Sequence, residues 1–332
     1  MEIPTFTLGD EVTQEQRTFF DIHGFIRFGA VASHEEVDLL LEALSALETS
    51  FIAEERKTVL GTPLKWGTKE DGSQFVQRFA FASHFNQTIS QFVNDPRFEP
   101  VRRFIGNDAR LGEIEKDGVV VNHWINTDGS RYRQLGWHTD GLRDLFWLKL
   151  PSPMLNVGLY LDDSPIEKGG VRVLPGTHKQ GLLPMMFNKV YFLDNRPDKR
   201  EVAITAKKGD LTIHDGRLWH RTARASVAGD ASRRRNMYMP FIEGPYQPRT
   251  ASTLCTGDRE VQPRASHALA PAPPEGLGGA EIQLGGNTQN ATEFSHSPYR
   301  FWRFRSGSSL RYLQGGVPAR FLLQGGVQAE LA

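Results

Sequence analysis

Between roughly residues 118 and 242 the chain is cut into short apolar runs by turn-forming residues, and that rhythm restricts it to an antiparallel sheet with tight connections. Leu155–Leu161 is a mainly apolar run long enough for a buried strand, and it stops at Asp162-Asp163-Ser164-Pro165. Lys168-Gly169-Gly170 is a further turn, and Val171–Leu174 is a short strand halted by Pro175-Gly176. Downstream, Gly209-Asp210 turns the chain into a strand over Leu211–His214. Asp215-Gly216 is a hairpin-type dipeptide, so Arg217–His220 reads as the return strand.

Within this region lies Gly136-Trp137-His138-Thr139-Asp140-Gly141. Side chains at i and i+2 of an extended chain share a face, so His138 and Asp140 can approach one metal ion from one side. A second histidine would complete a two-histidine, one-carboxylate facial triad, the donor set of non-haem Fe(II) oxygenases. His220 is the candidate, at the end of the expected return strand. His214 is its rival, expected on a different level because it precedes the turn. A third feature follows. Ser232-Arg233-Arg234-Arg235-Asn236-Met237-Tyr238-Met239 begins with three arginines and becomes strand-like. An inward-facing guanidinium there can hold a carboxylate through two parallel hydrogen bonds, as a 2-oxoglutarate site requires.

These blocks, WHTDG at Trp137–Gly141, GGVRVLPGTH at Gly169–His178, GDLTIHDGRLWHRT at Gly209–Thr222 and RRRNMYM at Arg233–Met239, occur in an order and spacing that resemble the phytanoyl-CoA dioxygenase family of Fe(II)/2-oxoglutarate oxygenases. The resemblance spans Thr13–Phe241 and includes the opening Thr13-Gln14-Glu15-Gln16 helix start and the Gly24–Phe28 strand. It implies a mainly β fold with flanking helices, a double-stranded β-helix of the jelly-roll, cupin-like type. It implies Fe(II) held by His138, Asp140 and His220, with 2-oxoglutarate and O2 as cosubstrates. The Ala223–Ser232 stretch is longer than is usual in the family, so the cosubstrate arginine cannot be assigned by counting from His220. Matching Arg234-Arg235-Asn236-Met237 to the family's Arg-x-x-aliphatic strand start implies Arg234, and Arg233 and Arg235, of opposite parity, would face away. Thr222 matches a hydroxyl position that supports the same carboxylate, and Asn122 and Asn126 fall where family members place amides near the cosubstrate. Trp137 and Trp147 are expected to pack, with lining of the substrate pocket as the alternative for either.

Together these readings give a hydroxylase, or a related oxidase of an unactivated C–H bond, acting on a small molecule. A carboxylate at 140 argues against halogenation, which needs a small residue there to admit chloride. No CoA phosphate cradle is visible, which favours a natural product of secondary metabolism as substrate. Two alternatives make different forecasts. A metal-dependent jelly-roll enzyme without 2-oxoglutarate would not need Arg234, and a non-catalytic binding protein would take up no metal.

Composition narrows the partners. Lys plus Arg and Asp plus Glu each number 39, so no basic field draws the chain to nucleic acid or to an anionic membrane. No apolar stretch is long enough to span a bilayer. The start Met1-Glu2-Ile3-Pro4 lacks signal-peptide character, and Glu330-Leu331-Ala332 is not a peroxisomal signal. The single cysteine, Cys255, excludes an intramolecular disulfide and suits a reducing cytoplasm. A monomer or a homodimer is expected.

Residues 1–245 are expected to form the catalytic domain and 246–332 a C-terminal extension. Ser33-His34-Glu35-Glu36 is a capping box, and apolar residues at 37, 40, 41 and 44 mark the helix it opens. Phe75, Phe79, Phe81 and Phe85 read either as a lid over the site or as core beneath loops. The extension has a Pro/Gly/Ala-rich stretch over Ala265–Gly286, an aromatic and basic run over Pro298–Arg305, and two copies of Leu-Gln-Gly-Gly-Val.

Overall fold

In the computed structural model, which describes residues 2–141, 153–245, 301–306 and 309–314, side-chain parity divides the central strands into an apolar face and a polar one. Ahead of the central region come β1 (Phe25–Phe28), the small pair β2 (Thr58–Val59) and β3 (Thr62–Pro63), then β4 (Lys65–Thr68), β5 (Gln74–Phe79) and β6 (Arg110–Leu111). The centre holds β7 (Val120–Asn126), β8 (Leu135–His138), β9 (Met154–Tyr160), β10 (Gly170–Val173) and β11 (Val202–Ala203). It closes with β12 (Leu211–Asp215), β13 (His220–Ala223) and the long β14 (Gly229–Ile242). The major sheet runs β1–β12–β9–β14–β7–β5–β4, with β6 joined to β14. The minor sheet runs β11–β10–β13–β8. Pairing is antiparallel throughout both, and neither sheet closes on itself.

On the major sheet Leu155, Val157 and Leu159 of β9, Leu211 and Ile213 of β12, and Met237, Met239 and Phe241 of β14 share one face. They merge into a single buried cluster with Phe20, Val37, Leu40, Leu44, Leu47 and Phe51 from the helices α1 (Gln14–His23) and α2 (His34–Ala53). Each such side chain contributes at most about 2–3 kcal/mol by leaving water. Both helices start at capping boxes, Thr13 with Gln16 and Ser33 with Glu36, which satisfy backbone N–H groups that no helical carbonyl reaches. The opposite face carries Asn156, Tyr160, Thr212, His214, Arg234, Asn236 and Tyr238, by register, and looks toward the minor sheet. Polar residues at alternate positions of otherwise apolar strands therefore mark the site face.

One expectation changes, and one open reading resolves. Asp215-Gly216 does not close a hairpin. The Asp215 carboxylate accepts from Arg217 N at 2.8 Å and pairs with its guanidinium at 2.7 Å, and the chain crosses from the major to the minor sheet before β13 begins at His220. Residues 217–219 are thus a connection, not a strand, because β9 and β1 already flank β12 on both edges. The aromatic stretch from 75 to 81 is core: Phe75, Phe79 and Phe81 are buried, the last two in the main cluster.

Gly209 turns into β12 at φ +90°, and a Cβ there would lie 2.3 Å from the Ala32 carbonyl oxygen. Both the strain and the backbone clash are unavoidable for any other residue. Gly209→Ala is expected to destabilise the fold by about 2–4 kcal/mol, read as a lower denaturation midpoint.

Among the described residues no helix is long and apolar enough to cross a membrane. The chain divides into two compact units, Met1–Arg249 and Thr250–Ala332. Of the second unit the structure describes one antiparallel hairpin, β15 (Phe301–Ser306) with β16 (Ser309–Gln314). Trp147, Cys255, the 265–286 stretch and most of the Leu-Gln-Gly-Gly-Val repeats lie outside the described residues.

Candidate metal centre

His138 ends β8 and His220 begins β13, and the two are direct partners in the antiparallel register. Cross-strand partners project side by side, so residues far apart in sequence bring their imidazoles to 4.1 Å between ring centroids. Each ring is oriented by its own strand. His138 Nδ1–H donates to Gly136 O at 2.8 Å, and His220 Nδ1–H donates to Leu218 O at 2.9 Å. A carbonyl only accepts, so both rings carry the proton on Nδ1 and present Nε2 as a lone pair, the tautomer a metal ligand needs.

Asp140 follows just past the end of β8, where Gly141 N donates to Gly216 O at 2.8 Å and ties the chain to the inter-sheet connection. His138, Asp140 and His220 then offer one donor atom each, all within 4.8 Å of one another. This arrangement can hold a divalent cation. Burial alone would raise the Asp140 carboxyl, but the imidazoles of His220, His214 and His138 hold it well below the ordinary range. Burial depresses His138 and, further, His220, where the neighbouring His138 adds to the effect. At neutral pH the set is therefore two neutral imidazoles and one carboxylate, carrying one negative charge.

Two residues of the major sheet complete the surroundings. Asn156 of β9 donates from Nδ2 to Asp140 Oδ2 at 3.0 Å. His214 of β12, the in-register partner of Asn156, places Nε2 3.6 Å from the same oxygen, with its ring 4.6 Å from that of His220. His214 is thus at the level of the site, contrary to expectation, because the connection that follows it folds back and returns His220 beside it. Asn156 was not singled out from sequence. Its signal is an amide on the site-facing parity of an apolar strand. Outer-shell partners of this kind are worth about 10–100-fold in metal affinity. Asn156→Ala is expected to weaken Fe(II) or Co(II) binding by about tenfold in an anaerobic titration; unchanged affinity would remove Asn156 from the site.

On the same face of β14, Arg234 is buried and its register partner is Trp124 of β7. The guanidinium lies over the Trp124 ring at 4.8 Å, and Nε donates to Lys168 O at 2.9 Å. No carboxylate among the described residues pairs with it. Burial lowers it to about 10, so it stays cationic at neutral pH. Around it stand buried polar atoms without partners, Tyr160 Oη and Asn236 Nδ2. A buried unpaired cation among unsatisfied polar groups is costly unless an anion meets it. The donor chemistry of this space fits a dicarboxylate.

The neighbouring arginines face away as parity requires. Arg235 pairs with Asp162 at 2.7 Å, and Arg233 is exposed, 3.8 Å from Asp230. Thr222 is buried on β13 with the parity of His220. Asn122 is the register partner of Asn236, on the site face of β7. Asn126 is used structurally. Its Nδ2 donates to Ala225 O and Val227 O, and its Oδ1 accepts from Arg224 Nε. It ties down the long 223–232 connection. Trp137 packs as expected, fully buried, with Nε1 donating to Arg196 O.

The model of the family described as phytanoyl-CoA dioxygenase (PhyH) matches residues 20–234. The chain belongs to this family. No curated protein sequence matches it. Among solved structures, this PhyH member is similar to AviO1 from Streptomyces viridochromogenes Tue57, at 17% identity and a TM-score of 0.51, over 74% of this chain and 99% of that one. It is similar to the epimerase SnoN in complex with Fe3+, alpha ketoglutarate and nogalamycin RO, at 19% identity and 0.52, over 74% and 91%. It is also similar to EctD from S. alaskensis with bound Fe, at 18% and 0.52, over 73% and 80%. At these identities the likeness establishes the fold, and the two facing antiparallel sheets of this PhyH protein are the cupin-like jelly roll expected from sequence.

Proposed function

We propose that the protein is an Fe(II)- and 2-oxoglutarate-dependent oxygenase that hydroxylates or otherwise oxidises an unactivated C–H bond of a small molecule, a natural product by preference. The observation that carries this reading is the pairing of a His138–Asp140–His220 cluster with an uncompensated buried Arg234 on the facing sheet. The first fits a divalent metal and the second an anion. SnoN, of the same fold, holds Fe3+ and alpha ketoglutarate, and its role in nogalamycin biosynthesis supports the natural-product choice.

When bound, Fe(II) with 2-oxoglutarate and O2 supplies C–H oxidation coupled to release of succinate and CO2. The chain supplies position and charge. His138 and His220, locked as Nδ1–H tautomers, and the ionised Asp140 give three protein ligands and leave coordination positions for exchangeable ligands. Asn156 keeps the Asp140 carboxylate from rotating. Arg234, with Nε engaged by Lys168 O and its face on Trp124, would hold a cosubstrate carboxylate through its two terminal nitrogens.

The test is anaerobic addition of Fe(II) and then 2-oxoglutarate to metal-free protein. A visible metal-to-ligand charge-transfer band is expected, lost in His138→Ala. Metal binding without a band would instead indicate a metal enzyme that does not use 2-oxoglutarate. A mass gain of one oxygen in a turned-over substrate would identify hydroxylation, and loss of two hydrogens a desaturation or ring closure; unchanged mass would indicate an outcome that is redox-neutral for the substrate, such as the epimerisation named for SnoN.

A further inference from the structure

Six of the eleven exposed large apolar side chains among the described residues fall within 182–193, the insertion between β10 and β11. The segment begins with a short helix, Leu182–Phe187, that leaves Leu183 and Phe187 in water, Phe187 at 70%. It then crosses the edge of the minor sheet. Phe192 N donates to Trp137 O at 2.8 Å and Trp137 N donates to Asp194 O at 2.9 Å, so residues 192–194 extend the free edge of β8 beside the ligand His138. Gly136 permits this approach, since a Cβ there would lie 2.3 Å from the Phe192 carbonyl oxygen. Tyr191 anchors the strap through its hydroxyl, which donates to Thr139 O at 2.7 Å.

Phe192 is the notable member. Its backbone is left-handed, φ 62°, a strained state for a bulky residue. That turn lays its ring against the His138 imidazole, centroids 4.8 Å apart and planes at 31°. The ring remains 45% exposed. The ring touches a metal ligand on one side and the Tyr191 ring, 4.3 Å away, on another, and its remaining half-exposed face lies in a sequence run of exposed apolar residues with Phe187, Val190 and Leu193.

Charge on this segment is only partly paired, with Lys189, Arg196, Lys199 and Arg200 against Asp194 and Asp198. Asp198 pairs with Lys189 at 2.7 Å and Arg200 at 3.1 Å, and Asp194 pairs with Arg196 at 3.1 Å. The charges lie at 189 and 194–200, whereas Val190-Tyr191-Phe192-Leu193 carries none, so a group seated against that stretch meets rings and aliphatic side chains.

We propose that Phe192 is the substrate-contacting wall of the metal site and a specificity-determining residue, and that the substrate presents a neutral apolar face, ring or alkyl, to the 187–193 strap. This rests on the oxygenase reading for the identity of the site, but not for the existence of the surface.

The test loads wild-type protein and the variants Phe192→Ser and Phe192→Leu anaerobically with Fe(II) and 2-oxoglutarate, then titrates each with prodan, a neutral naphthalene fluorophore. Saturable blue-shifted emission is expected in the wild type, together with a change in the charge-transfer band that reports binding beside the metal. Phe192→Ser should bind prodan about tenfold more weakly and Phe192→Leu within about threefold of wild type. Equal binding by Phe192→Ser, or saturable binding that leaves an existing band unmoved, overturns the proposal. So does binding of wild type to phosphatidylcholine vesicles that is lost in Phe187→Ser, which would give the face to a lipid surface. Absence of the band in all three proteins sinks the oxygenase reading alone, since the fluorescence ratio still reports whether Phe192 forms the wall.

Discussion

Asp140→Asn is expected to abolish turnover and to weaken Fe(II) binding by roughly two to three powers of ten. The substitution keeps the size of the side chain, and an amide oxygen at 140 can still accept from Asn156 Nδ2. What disappears is the one negative charge among neutral imidazoles, which is the charge that a cation meets on entering. Removing one member of a buried charged pair costs about 3–5 kcal/mol, and each 1.4 kcal/mol is about tenfold in a binding constant. Isothermal titration with Fe(II) under anaerobic conditions measures the loss of binding, and succinate release the loss of turnover. The metal-free variant should melt lower than wild type at neutral pH, because a carboxyl held below its usual range in the fold stabilises the folded state wherever it is ionised. A variant that binds Fe(II) normally would remove Asp140 from the ligand set, and one that unfolds would make its loss of activity uninformative.

Arg234→Leu is expected to raise the dissociation constant for 2-oxoglutarate by roughly 10²–10³-fold. Two charge-assisted hydrogen bonds contribute about 1.5–3 kcal/mol each. The metal site should be spared, with Fe(II) affinity in the absence of 2-oxoglutarate within about threefold of wild type, since Arg234 contacts no member of the triad. Arg234→Lys should recover only part of the loss. A lysine restores the charge but neither the planar fork nor the stack on Trp124. The measurement is the charge-transfer band titrated with 2-oxoglutarate at saturating Fe(II). An unchanged titration in Arg234→Leu would hand the carboxylate to another cation, and Arg172, also buried, would be next to test.

Much of this site is legible in the order of residues because strand geometry is periodic. His138 and Asp140 share a face by being two apart. The family's Arg-x-x-aliphatic pattern implied Arg234, and alternation then turns Arg233 and Arg235 to the other face. The expectation for Asp215-Gly216 failed for a physical reason. A turn dipeptide encodes a local reversal, but which sheet receives the next strand depends on which edges are already occupied, and β12 has neighbours on both sides. The same crossing carried His214 into the site, 3.6 Å from Asp140, when its sequence position suggested a different level. Asn156 was hidden because one amide in an apolar run has no local signature until its strand is placed opposite β8.

The residue order by itself determined the antiparallel strand rhythm, the capped helices, the opposite parity of Arg234 to its two arginine neighbours and the chemistry of the donor set. Each of these depends on neighbours within a few residues, where backbone geometry is nearly fixed. Tertiary structure alone decided that His138 and His220 stand as cross-strand partners, that Asn156 and His214 close over Asp140, and that the 192–194 strap lies on the edge of β8. Those are contacts between segments distant in sequence. They follow from burying the apolar face of one sheet against α1 and α2, which leaves its polar face no neighbour but the second sheet.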